Sequence, residues 1–117
     1  ETLFPYTTLF RSAKVGFDWS DVSGVEAKVR EELDEILQAA DDAEKAHEIA
    51  DLMFVLVNWL RWLGVDDVEA LMRGVNAKFY RRFTYIERQA AAQGRQLEAM
   101  TLAEMDALWD EAKTHGL

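Results

Sequence analysis

Two acidic clusters, and the apolar run that follows the second, constrain this chain more than any other feature. The first cluster reads Glu31-Glu32-Leu33-Asp34-Glu35, the second Glu48-Ile49-Ala50-Asp51, with twelve residues between them. The second runs straight into Leu52-Met53-Phe54-Val55-Leu56-Val57-Asn58-Trp59-Leu60. On helices, the spacing of three places Glu32 over Glu35 and Glu48 over Asp51. At 3.6 residues per turn, Asp51 falls between Asn58 and Trp62, and Glu48 between Val55 and Trp59. Both acids therefore continue the apolar face. On the first helix Val25, Val29, Leu33, Ile36 and Leu37 form the apolar stripe, with Glu32 at its edge and Glu35 further round. Ionised carboxylates on a buried face are costly unless paired or bound to a metal. Oxygen-only ligands point to Mg²⁺ or Mn²⁺ before zinc.

The chain has 117 residues, the size of one domain with a real core. Half of the residues are hydrophobic and four are Trp, which argues against disorder. A single Pro, six Gly and abundant Ala, Leu and Glu favour an all-α fold. There is no cysteine, hence no disulfide framework and no thiolate chemistry, which fits a cytoplasmic protein. The run from Leu52 to Leu60 is too short and too polar to span a bilayer, which takes about 20 residues. A net charge of −9 argues against nucleic acid or an anionic membrane as partner. Residues 71–95 nevertheless carry six basic groups against one acid, so the rest of the chain stands at −14. A basic helix within an acidic protein suits a small polyanion held beside a metal.

Residues 1–12, ETLFPYTTLFRS, show no helical period and hold the only Pro. They read as foreign to the domain or as an ordinary flexible or strand-like terminus, which leaves residues 13–117 as the domain. Capping-box spacing at Ser23 starts a first helix that runs to about Asp41. A second follows from about Glu44 to Leu63. Its apolar residues on nearly every face mark a central buried helix or an oligomer interface. Gly64 suits a left-handed C-terminal cap. A third helix is expected over 67–92 and a last one from the Thr101 cap to about Lys113. Four helices with short links predict a helical bundle. Phe79 and Phe83 read as core and Arg81 as outward-facing. Glu44 and His47 have the spacing of half a di-iron carboxylate site, but only one copy exists, so His47 reads as exposed.

Taken together, the pattern resembles the MazG-type nucleoside triphosphate pyrophosphohydrolases of the all-α NTP pyrophosphatase superfamily. The residues that carry it are EELDE, EIAD with the LMFVLVNWLRWLGV that follows, VGFDW at 15–19, NAKFYRRF at 76–83 and MDALW at 105–109. Ala50 stands where the family usually has Gly, a change that suits a helix interior. The resemblance covers about residues 13 to 117. It implies Mg²⁺-dependent cleavage of a nucleoside triphosphate between the α- and β-phosphates. Glu32, Glu35, Glu48 and Asp51 would hold the metal, and Glu31 or Glu35 would act as general base. By family match, Asn76, Lys78, Arg82, Trp109 and Lys113 would contact the nucleotide, and Lys28 would neutralise the carboxylates or touch phosphate. A homodimer or larger assembly is also implied. Alternatives are a related pyrophosphatase acting on dUTP, dCTP or phosphoribosyl-ATP, and a non-enzymatic helical dimerisation module.

Overall fold

Two aspartates start the helices that carry the acids. The structure, a computed structural model, describes residues 6–117. Asp21 caps α2 (Val22–Gln38), its side chain accepting from the Ser23 N–H, and Asp41 caps α3 (Asp42–Trp62), accepting from the Glu44 N–H. Each such cap is worth about 1 kcal/mol. The cap at α2 is therefore Asp21 and not Ser23, because Asp21 sits one residue before the first helical turn. α2 also ends at Gln38, three residues short of Asp41, and the extended backbone of its C-cap Ala39 (ψ 138) leads into the link to α3.

Preceding them is α1 (Tyr6–Lys14), and following them are α4 (Val68–Ala92), a 3₁₀ turn at Leu97–Ala99 and α5 (Leu102–Thr114). No strand occurs among the described residues. The all-α expectation holds. α1 departs from the reading of residues 1–12 as lacking helical order, because Leu9 is buried beside Val57 and Val68 and so receives tertiary support. The hydroxyl of Tyr6 donates to Glu69 at the same place. The first five residues of that segment lie outside the described ones.

The chain divides into two compact units, one ending at Glu69 and the other running from Ala70 to Leu117. In the first, α2 packs along α3. Val25 is fully buried there, a gain of about 1.5–3 kcal/mol. Gly64, at φ +85, ends α3 in the left-handed conformation its position predicted. In the second, Ile86, Ala90, Met100 and Leu108 form a core flanked by Leu97, Met105 and Trp109. Thr101 and Glu104 close a reciprocal capping box at the start of α5, as their spacing predicted.

Several side chains expected in the core are exposed. Leu33 and Leu37 of α2 are open to solvent, as are Met53, Phe54 and Leu56 of α3. On α4 the same holds for Phe79 and Phe83, and Leu71, Met72, Val75 and Tyr80, for which no burial was expected, are exposed too. Phe79 and Phe83 stack on one another and are not core residues. Helical period alone does not say how many neighbours a helix has. Here α3 and α4 carry more apolar surface than the chain covers.

Candidate metal centre

Glu32 is the least expected buried residue of α2, with 4% of its surface exposed. The pairing of α2 with α3 brings it to Glu48 and Asp51. Glu32, Glu48 and Asp51 each offer a carboxylate oxygen within 4.8 Å of the other two. Lys28, one turn before Glu32, places its Nζ 3.1 Å from Glu32 Oε1 and 3.4 Å from Glu31 Oε1. The Glu32 bond foremost raises the pKa of Lys28. The other oxygens remain without partners: Glu32 Oε2 and Glu48 Oε2 are buried and accept no hydrogen bond. A buried carboxylate oxygen left bare costs several kcal/mol unless a proton or a cation meets it.

Glu35 lies against Glu48. That hydrogen bond foremost, then loss of hydration and the charges of Glu32, Glu48 and Glu31, push its carboxyl up to about 7. Like charges that cannot all ionise share protons in this way until a cation is present. Glu31 is more open and ion-paired to Lys28. His47 is largely exposed and reaches Asp51 at 3.7 Å, so it belongs to the rim. The structure thus joins Glu32, Glu35, Glu48 and Asp51, with Lys28 and Glu31 beside them. An all-oxygen set of this kind could bind a hard divalent cation.

The residues expected on the nucleotide lie in the second unit. Asn76 and Lys78 are exposed, as is Arg81, which was expected to face outward and not to meet the nucleotide. Arg82 is half-buried and occupied: its Nε donates to the Leu117 carbonyl at 2.9 Å, and its guanidinium lies 5.3 Å from the Trp109 ring centroid. Trp109 also meets Phe79 at 5.5 Å and packs on the core of this unit. Lys113 pairs with Asp110 at 3.7 Å.

A further polar cluster went unassigned in the sequence. Asp18 accepts from Arg61 Nη2 at 2.7 Å and from Trp62 Nε1 at 3.1 Å. Arg61 Nε in turn donates to Asn58 Oδ1 at 2.7 Å, and Asn58 is buried. Burial works against ionising Asp18, but the Arg61 and Trp62 bonds hold its carboxyl below the usual range. Asp18 and Asn58 also line an open cavity of about 450 Å³ whose other walls include Leu9, Phe17, Trp19 and Phe54. The signal for this cluster was an amide inside an apolar run with an Arg three residues on.

Residues 11–79, more than half of the chain, match the phosphoribosyl-ATP pyrophosphohydrolase family. The chain belongs to this MazG-like pyrophosphohydrolase family. It is 39% identical over 102 residues to the nucleoside triphosphate pyrophosphohydrolase/pyrophosphatase MazG of Thermotoga maritima, covering 87% of this chain and 40% of that protein. It is also 39% identical over 108 residues to the nucleoside triphosphate pyrophosphohydrolase of Escherichia coli, covering 88% and 41%. The chain thus spans about two fifths of the length of these curated relatives. Both acidic clusters and the Asp18–Asn58–Arg61 cluster fall inside the family match. Among the described residues of this family member, no helix is long and apolar enough to cross a membrane.

Proposed function

We propose that the chain hydrolyses nucleoside triphosphates to the monophosphate and pyrophosphate, using a divalent cation held between α2 and α3. The observation that carries this reading is the convergence of Glu32, Glu48 and Asp51 oxygens within 4.8 Å, two of the carboxylates having a buried oxygen without a partner. The names of the two relatives supply the reaction class. All-oxygen donors favour Mg²⁺, with Mn²⁺ as a substitute. Bound there, the cation would neutralise phosphate charge and make water a better nucleophile.

Glu32, Glu48 and Asp51 would hold the cation, with Glu35 as the fourth carboxylate. A water oxygen attacks the α-phosphorus, the bond to the bridging oxygen breaks, and pyrophosphate departs. Glu35 accepts the water's proton, because it touches Glu48 while Glu31 is engaged by Lys28. Lys28 balances the charge of Glu32 and lies close enough to meet a phosphate. By family match, Asn76, Lys78, Arg82, Trp109 and Lys113 are assigned to the nucleotide. Of these, Asn76 and Lys78 are exposed.

A panel of ribo- and deoxyribonucleoside triphosphates with Mg²⁺, scored for pyrophosphate against orthophosphate, tests the assignment. Pyrophosphate should be the inorganic product, and chelation should stop its release. Orthophosphate as the primary product would defeat the reading. Phosphoribosyl-ATP belongs in the same panel, since the matching family is named for it; dUTP and dCTP test the other related specificities. We also propose self-association through the exposed apolar faces of α3 and α4. A light-scattering mass at the 13.4 kDa of one chain would contradict that.

A further inference from the structure

We infer that Asp18, Arg61 and Trp19 form a clasp that holds the open end of the α2–α3 hairpin shut against carboxylate repulsion, keeping Glu32, Glu48 and Asp51 at metal-binding spacing. The metal half of this inference rests on the function proposed above; the mechanical half does not.

The hairpin has one end closed by the chain itself, at the link between Gln38 and Asp42. Between that link and the far end, Glu31, Glu32 and Glu35 of α2 meet Glu48 and Asp51 of α3. The cations paired with them are Lys28 and, when protonated, His47. Net negative charge across the seam pushes the two helices apart, and burial weakens the screening that water would provide. Nothing covalent resists this where α2 begins and α3 ends.

The loop before α2 supplies what is needed there. Asp18 is bonded to Arg61 and Trp62 in the last turn of α3, and this ion pair is itself largely buried, with 16% and 19% of the two side chains exposed. Asn58 aims the guanidinium by accepting from its Nε. One residue further on, Trp19 lies over Gly24 in the first turn of α2. A Cβ at position 24 would stand 2.6 Å from Trp19 Cδ1, so only glycine admits the ring. Two neighbouring residues of one loop thus grip the two helices, one each. Spreading the hairpin has to break the charged Asp18–Arg61 contact or lift an indole from its seat.

The test is a stability cycle on the full chain in EDTA. Asp18→Ala should lower Tm by about 4–8 °C, the shift expected from loss of roughly one charged contact in a small domain. In a Glu48→Gln background, where opening the hairpin releases no repulsion to offset the lost contact, the same change should lower Tm by more than it does in the parent. Gly24→Ala, which displaces Trp19 without altering charge, should show the same dependence on Glu48. A merely structural contact gives additive losses. Additive losses for both variants would overturn the clasp. Calorimetric titration with Mn²⁺ adds the second readout: Asp18→Ala should weaken binding about tenfold at a temperature where its helical content is unchanged. An unaltered Mn²⁺ affinity would overturn the positioning role. A parent chain that binds no Mn²⁺ would instead overturn the metal centre, leaving the stability cycle to judge the clasp alone.

Discussion

The acids of α2 and α3 and the basic residues of α4 look alike in the sequence, as charged residues at helical spacing, but the structure treats them differently. Glu32 and Glu48 are drawn into a packed seam and keep bare oxygens there. Lys78 and Arg81 stand on a stretch of α4 exposed from Leu71 to Arg81, while Arg82 is tied to Leu117 and Trp109. Water stabilises an exposed charge without help, so its position carries little information. A buried charge without a partner points to a missing ligand.

The sharpest way to break that contrast is to neutralise the buried side. Glu48→Gln and Asp51→Asn should each abolish Mg²⁺-dependent turnover and leave helical content nearly intact, since amides fit the same volume and relieve repulsion. In EDTA either variant should melt no lower than the parent. Parent-like turnover in both, followed by pyrophosphate release, would remove the metal-site argument.

The exposed side should respond less and unevenly. Lys78→Ala should lower kcat/KM by about 10- to 150-fold, corresponding to a charged hydrogen bond of ~1.5–3 kcal/mol. Arg82→Ala should cost stability as well, about 1 kcal/mol for the bond to Leu117. Arg81→Ala is the control and should be nearly silent in both assays. If Arg81 were the sensitive position, the face of α4 assigned to phosphate would be the wrong one.

Acid–base titration separates a crowded carboxylate from a paired one. Glu104 is bonded to Arg95 and to the Thr101 N–H, which hold its carboxyl at about 2 against an ordinary 4.5. Its stabilising contribution is complete above pH 4.5 and is lost as pH falls towards 2. Glu35 runs the other way: raised from 4.5 to about 7, it contributes a destabilisation that grows as pH rises through that window. Metal-free Tm should therefore climb from pH 2 to 4.5 and decline from 4.5 to 7. Saturating Mg²⁺ should abolish the decline and leave the climb, which Glu104→Gln in turn should flatten. Thermal melts in EDTA and in Mg²⁺ check both limbs, and a level EDTA profile above pH 4.5 would count against the crowding of Glu35.

Much of this was readable in advance, for identifiable reasons. Glu48 and Asp51 stood out because their helical neighbours are Val55, Trp59 and Trp62, and the seam they were expected to enter exists. Gly64 and the Thr101–Glu104 box marked helix ends because their chemistry is local. Leu37, Phe79 and Phe83 were misplaced because period gives the direction of a side chain and not what lies opposite it. Leu9 was missed because its burial depends on Val57 and Val68, far along the chain. Arg61 was hidden for the same reason: the sequence shows its Asn58 partner three residues back, but not Asp18, forty-three positions away.

The two carboxylate pairs belong to one hairpin, with Glu32 only sixteen residues from Glu48 and nineteen from Asp51. Closing so short a loop costs little chain entropy, and contacts this local form early. The carboxylates therefore face one another before residues 70–117 need have found their places, and at that moment their repulsion slows the approach of the helices. A divalent cation in the refolding buffer should accelerate folding as well as retard unfolding. In stopped-flow refolding, Mn²⁺ should raise the folding limb of the chevron, and this gain should vanish in Glu48→Gln. A limb unmoved by Mn²⁺ would place assembly of the seam after the rate-limiting step.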